Sequence, residues 1–155
     1  MNFLVYDHHG GAAMLNRGCV ESAKTVIAGL TLSKRDRTTA KVRARILDGL
    51  HHAGWSDETK LDPGSAMTVT SVKNSVGLCL QTGNMGRIYA DLLKLQLLFS
   101  RKKIVGAVII LYSRITAREL GQNLANFDRL TKELEIFREI ITVPAIVFGL
   151  EVVES

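Results

Sequence analysis

Cys79 and Gln81 sit two residues apart in VGLCLQ (Val76 to Gln81), where Val76, Leu78 and Leu80 alternate with Gly77, Cys79 and Gln81. A period of two is a strand, so the thiol and the carboxamide share one face. Three chemistries fit such a pair. A free Cys packs as a small buried hydrophobe. A thiol and an amide can also line a pocket that touches a phosphate. A nucleophilic Cys needs a base, and no His lies nearby in the chain. Directly afterwards Gly83 breaks the strand, and Asn84 has the side chain of a helix N-cap. The stretch Gln81 to Arg87 therefore brings glycines, backbone amides and a guanidinium to a helix start. That is either plain capping or an anion cradle; it is neither a P-loop nor a dinucleotide fingerprint.

Other groups of chemical interest lie elsewhere. Lys34, Arg35, Arg37, Lys41, Arg43 and Arg45 are opposed within their span by Asp36 alone. On a helix, Arg37, Lys41 and Arg45 line up at i, i+4, either as a solvated face or as a row that neutralises phosphates. His8-His9 and His51-His52 are metal ligands only if the fold joins the pairs, because adjacent helical histidines diverge and no second ligand follows at i+4. From Pro63 through Ala90 there is no Asp or Glu. Asp57, Glu58 and Asp62 are the nearest acids before that gap.

These residues must be held by a fold. At 155 residues the chain is read as one domain, 1–155, with 46% hydrophobic and 23% charged residues. The net charge of +5 favours anionic partners such as nucleic acid, and 6% aromatics argues against single-strand stacking. No apolar run is long enough for a bilayer, no signal-peptide pattern opens the chain, and two isolated cysteines suit a reducing cytoplasm.

Taken in order, Asn2 to Gly11 reads as irregular with a strand-like FLVY. A helix over Ala12 to Leu32 follows, divided near Gly18. A second, capped by Ser33 or Asp36, runs to about Ala53. Strands come at Thr59 to Leu61, Ala66 to Val72 and Val76 to Gln81, the last two joined as a hairpin at Lys73-Asn74. The helix after Asn84 buries Met85, Ile88, Leu92, Leu95 and Phe99 and shows Arg87, Asp91 and Lys94 outside, with Arg87 and Asp91 paired at i, i+4. Ile104 to Leu111 is apolar throughout, as an inner strand covered on both faces is. A helix at Leu124 to Ile136 and a strand at Ala145 to Leu150 end the series. From Arg35 on, two strands linked through a helix run parallel, and the early strands form an antiparallel meander. The expected class is α/β (α+β), a mixed sheet with helices on both faces.

The order αβββαβ is the core of the PD-(D/E)xK nucleases. Gly54-Trp55, VGLCLQTGN (Val76 to Asn84), YADLLKLQ (Tyr89 to Gln96), GAVIIL and AIVFGLE (Ala145 to Glu151), with the amino-terminal YDHHGG, resemble the BamHI/BglII group of type II restriction endonucleases. The resemblance implies double-stranded DNA as partner and a homodimer, since members cut palindromes. It also implies Mg²⁺ held by a carboxylate on the first hairpin strand and by an E-x-Q on the next. On this sequence E-x-Q becomes Cys79-Leu80-Gln81, and the earlier carboxylate falls at or near Thr70. A thiol and a hydroxyl do not hold Mg²⁺, so the expectation is a degenerate site with no metal and no cofactor. Asn84, Arg87, Lys34, Arg35, Arg37, Lys41 and Arg45 are the expected DNA contacts. The alternatives are a Mg²⁺ nuclease using displaced acids such as Asp62, and a protein-interaction module that kept the fold.

Overall fold

The computed structural model describes residues 1–152, leaving aside the side chain of Lys34. Strand β1 (Asn2–His8) leads into a four-residue helix α1 (Gly11–Met14), then α2 (Arg17–Ala28). A single 3₁₀ turn (Lys34–Asp36) precedes α3 (Thr39–His52). The two-residue strands β2 (Thr59–Lys60) and β3 (Thr68–Val69) pair with each other apart from the main sheet. Then come β4 (Ser71–Lys73), β5 (Val76–Gln81), α4 (Arg87–Ser100), β6 (Gly106–Tyr112), α5 (Arg114–Leu120), α6 (Phe127–Ile136) and β7 (Ala145–Glu151).

The main sheet has the order β1-β7-β6-β5-β4. Its centre is parallel, with Cys79 opposite Ile109 and Ile110 opposite Phe148; β4 and β1 close the edges antiparallel. Every residue of β5 and β6 is buried, which is why the GAVIIL run shows no alternation. Pleating sends Leu78 and Leu80 into a core under α2 and α3, and Cys79 and Ile109 into a second under α4 and α6. Helix α4 buries Ile88, Leu92, Leu95 and Leu98 there, each stabilising by roughly 1.5–3 kcal/mol. The β4–β5 hairpin turns through Asn74 and Ser75, both at positive φ (47° and 63°), as a primed two-residue turn requires.

The structure corrects local expectations at several points. The first seven-residue strand is regular, because β1 pairs over its whole length with β7, from Asn2↔Glu151 to His8↔Ala145. Local pattern does not reveal a partner 149 positions away. The first helix divides at Leu15-Asn16 rather than at Gly18, since the Asn16 side chain accepts the Cys19 N–H at 3.1 Å and caps α2. Thr38, not Ser33 or Asp36, caps α3, accepting the Lys41 N–H at 3.3 Å. The strand expected over Ala66 to Val72 is broken at Thr70 into β3 and β4. Helix α5 has no counterpart among the elements expected from periodicity.

Candidate functional site

Strand β5 ends at Gln81 beside the start of α4, and a cleft of about 450 Å³ opens at this junction. Its walls are Leu80, Gln81, Thr82 and Gly83 from the strand end, Arg87, Ala90, Asp91 and Lys94 from α4, Thr68, Thr70 and Glu58 from the β2–β3 side, and Arg43 from α3. Three cations (Arg43, Arg87, Lys94) face two carboxylates (Glu58, Asp91), which leaves +3 − 2 = +1.

Gln81 is committed at both ends. Its Nε2 donates to Asp91 Oδ2, and its Oε1 accepts the Gly83 N–H at 3.0 Å. Burial raises the Asp91 carboxyl above the ordinary carboxylate range, opposed by that hydrogen bond and by Lys94, Arg43 and Arg87. Lys94 Nζ lies 4.0 Å from Asp91. Arg43 reaches across the strand end, its Nη1 donating to the Leu80 carbonyl at 2.6 Å. Thr70 Oγ1 accepts the Leu80 N–H at 3.0 Å, supplying a partner just past the Ser71↔Leu78 end of the β4–β5 ladder.

Cys79 is 2% exposed and belongs to the core under α4. Burial, and then the nearby Asp91 charge, push its thiol far up, so it stays protonated. Thr70, Cys79 and Gln81 lie at one strand end. One is a neutral hydroxyl, one a buried thiol, and the third a neutral carboxamide whose oxygen already accepts the Gly83 N–H, whereas hard divalent cations favour charged oxygen ligands. Among the described residues no three His, Cys, Asp or Glu side chains converge.

The remaining expected residues are dispersed. Asn84 does not cap α4: Gly86 holds that position, and Asn84 Oδ1 accepts the Gly86 N–H at 2.8 Å. Arg87 lines the cleft, while Asp91 turns to Gln81 and Lys94 instead of forming the i, i+4 ion pair. In the basic run, Lys41 and Arg45 both bind Asp36, at 3.0 and 3.3 Å. Arg35 is exposed and Arg37 half-buried, whereas the Lys34 side chain lies outside the described residues. Asp57 faces His51 at 3.2 Å and Asp62 faces Arg101 at 3.4 Å, which leaves Glu58 as the one displaced acid in the cleft lining. His52 bonds the Asp48 carbonyl in α3 and His51 faces Asp57, while His8 and His9, on β1 and its turn, bond the Ile141 and Arg138 carbonyls, so the two pairs have separate partners.

Arg43, Asp91 and Lys94 form much of this cleft, and sequence reasoning does not single them out as site residues. Arg43 follows the buried Val42 and so flanks the apolar stripe of α3, a place from which a long side chain can cross the sheet edge. That adjacency is the only signal in the sequence.

A family model described as restriction endonuclease BglII/BglIII matches residues 3–150. The chain belongs to this BglII/BglIII family. The crystal structure of BglII complexed with a DNA 16-mer is similar with a TM-score of 0.86 at 14% identity, covering 100% of this chain and 79% of that one. Free BglII is similar with a TM-score of 0.76 at 15% identity, covering 100% and 81%. No curated protein matches the chain. The BglII fold thus accounts for the five-stranded mixed sheet and for helices on both of its faces. No helix among the described residues is long and apolar enough to cross a membrane.

Proposed function

We propose that this chain is a catalytically degenerate member of the BglII family, a single cytoplasmic domain that binds double-stranded DNA as a homodimer without cutting it. The observation that carries this reading is Gln81, whose carboxamide is spent on Asp91 and Gly83 beside a buried Cys79. At the two positions of the family's E-x-Q, this leaves a thiol in place of the carboxylate, and a neutral carboxamide beside it. Arg43, Arg87 and Lys94 supply positive charge where a phosphodiester would lie, and guanidinium groups grip phosphate oxygens without a metal.

The dimer is supported by an apolar outer face. Tyr89 Oη donates to Glu133 at 2.8 Å and Gln96 Nε2 to Thr142 Oγ1 at 2.9 Å, tying α4 to α6 and the turn beyond it. On that tied pair Leu93 is 62% exposed and Ile136 75%. Large exposed aliphatics on neighbouring helices suit a self-complementary two-fold contact.

A gel shift in low salt tests DNA binding, which must weaken steeply as salt rises. Absence of a shifted band at low salt rejects it. Plasmid incubated with Mg²⁺ or Mn²⁺ stays uncut. Cleavage would favour an active nuclease using Glu58 and Asp91, both in the cleft lining. The interaction-module reading draws on Asp36, which offsets Lys41 and Arg45; it survives only if no duplex binds.

A further inference from the structure

A second hollow adjoins the segment 82–86. It measures about 200 Å³, and Arg114, Arg118, Arg129, Asn123 and Asn126 are among its walls, with no Asp or Glu. Segment 82–86 is tied to the loop before α6 by the Met85 N–H to Asn123 carbonyl bond and the Ala125 N–H to Gly83 carbonyl bond, both 2.9 Å. Gly83 lines the cleft and Met85 lines this hollow. The two cavities are therefore neighbours at the carboxyl ends of the parallel strands β5 and β6.

The charge here is only partly offset. Arg129 Nε binds Glu133 at 2.9 Å. Among the described residues Arg114 and Arg118 have no acidic side chain within ion-pair distance. Three guanidinium groups around one hollow repel one another, and a bound anion is what relieves that repulsion. Arginine forks also match the oxygens of a phosphate in pairs.

We propose that this hollow is a second anion site, which takes a backbone phosphate of the same duplex that crosses the cleft. This rests on the DNA-binding reading above. Its site residues are Arg114, Arg118 and Arg129, with Asn123 beside them.

The experiment compares the full chain with an Arg114→Ala/Arg118→Ala variant on duplexes of several sequences, from low to moderate salt. The variant binds every sequence more weakly, and its plot of log K against log salt is shallower by about 0.9 for each phosphate it no longer neutralises. Lysine at both positions restores most of the slope, because charge and not hydrogen-bond geometry sets it. Both arginines are exposed, so melting curves of the variant match those of the parent. If the parent binds and the alanine variant shows the same affinity and slope, the second site is wrong and the DNA-binding reading stands. A parent that binds no duplex at low salt removes both.

Discussion

Gln81 hands its amide hydrogen to the carboxylate of Asp91, ten residues on, while its oxygen receives the Gly83 N–H at 3.0 Å. A strand end and the first turns of α4 are thereby locked through one side chain. A divalent ion entering here meets a Gln81 that is already hydrogen-bonded at both ends and has no charged oxygen to offer it. Millimolar Mg²⁺ is therefore expected to leave the melting temperature unchanged. A ligand that binds only the folded state at a hundred times its Kd adds about 2.7 kcal/mol, an effect that thermal-shift measurements resolve. A clear Mg²⁺-dependent rise would contradict the degenerate reading.

Asp91 is itself a pH-dependent element. Burial is the main reason its carboxyl sits above the usual range. An acid whose folded pKa is raised holds its proton longer when folded. Stability from this group is therefore full below the unfolded pKa, near 3.8, and declines as pH rises through the window up to the folded value. Asp91→Asn keeps an acceptor for Gln81 and removes the charge. The variant loses this part of the pH dependence of melting, and duplex binds more tightly because the cleft gains one net positive charge. Melting profiles that stay parallel to the parent's, together with unchanged affinity, would refute the assignment.

Much of this was readable in the chain because the informative signals are local. The inner strand within the Ile104 to Leu111 run, which starts at Gly106 after an exposed Val105, the hairpin at Asn74, and the shared face of Cys79 and Gln81 follow from periodicity and turn chemistry alone. What escaped depends on residues distant in sequence. Strand β1 exists because β7 pairs with it, and Asp91 faces Gln81 because α4 is rotated by its core packing at Leu92, Leu95 and Leu98. Arg43 belongs to the cleft through the Leu80 carbonyl, 37 positions away. Asp36 offsets Lys41 and Arg45 because the 3₁₀ turn folds it back on α3, which a count of charges does not reveal.

The exposed face of α4 and α6 yields a prediction about assembly. If the homodimer forms there, size-exclusion with light scattering gives twice the chain mass for the parent. Leu93→Glu, at a position 62% exposed, places like charges across the two-fold contact and gives the monomer mass with an unchanged far-UV spectrum. A parent that remains monomeric at high concentration would dispose of this interface.

Packing under the sheet gives a prediction about stability. A Cβ on Gly11 would sit 2.5 Å from the carbonyl carbon and oxygen of Ala145. Both atoms are backbone of β7, so no rotamer change relieves the clash. Gly11→Ala is expected to cost roughly 1–3 kcal/mol or more. At Gly49 the clash is with Val26 Cγ1 at 2.7 Å, a side chain that can rotate, and alanine there costs less. Urea unfolding of the two variants checks the order, and equal midpoints would refute it.

His8 is fully buried at the end of β1, with Nε2 2.6 Å from the Ile141 carbonyl and Nδ1 without a partner among the described residues. A carbonyl can only accept, so Nε2 carries the hydrogen and Nδ1 keeps its lone pair. Charging the ring would bury a donor with nothing to receive it, beside His9 and near Arg138. Burial lowers the His8 pKa, His9 and Arg138 act in the same direction, and the Ile141 carbonyl and Glu135 oppose them. A histidine lowered in the folded state contributes stability that is full above the unfolded pKa, about 6.5, and is lost as pH falls from there toward the folded value. Between pH 7 and 5 the parent should therefore lose more melting temperature than His8→Gln, whose amide still reaches the Ile141 carbonyl but does not titrate. Scanning calorimetry at half-unit steps measures the difference. Two curves falling together would mean that some other group carries the acid sensitivity and that His8 accepts its proton without penalty.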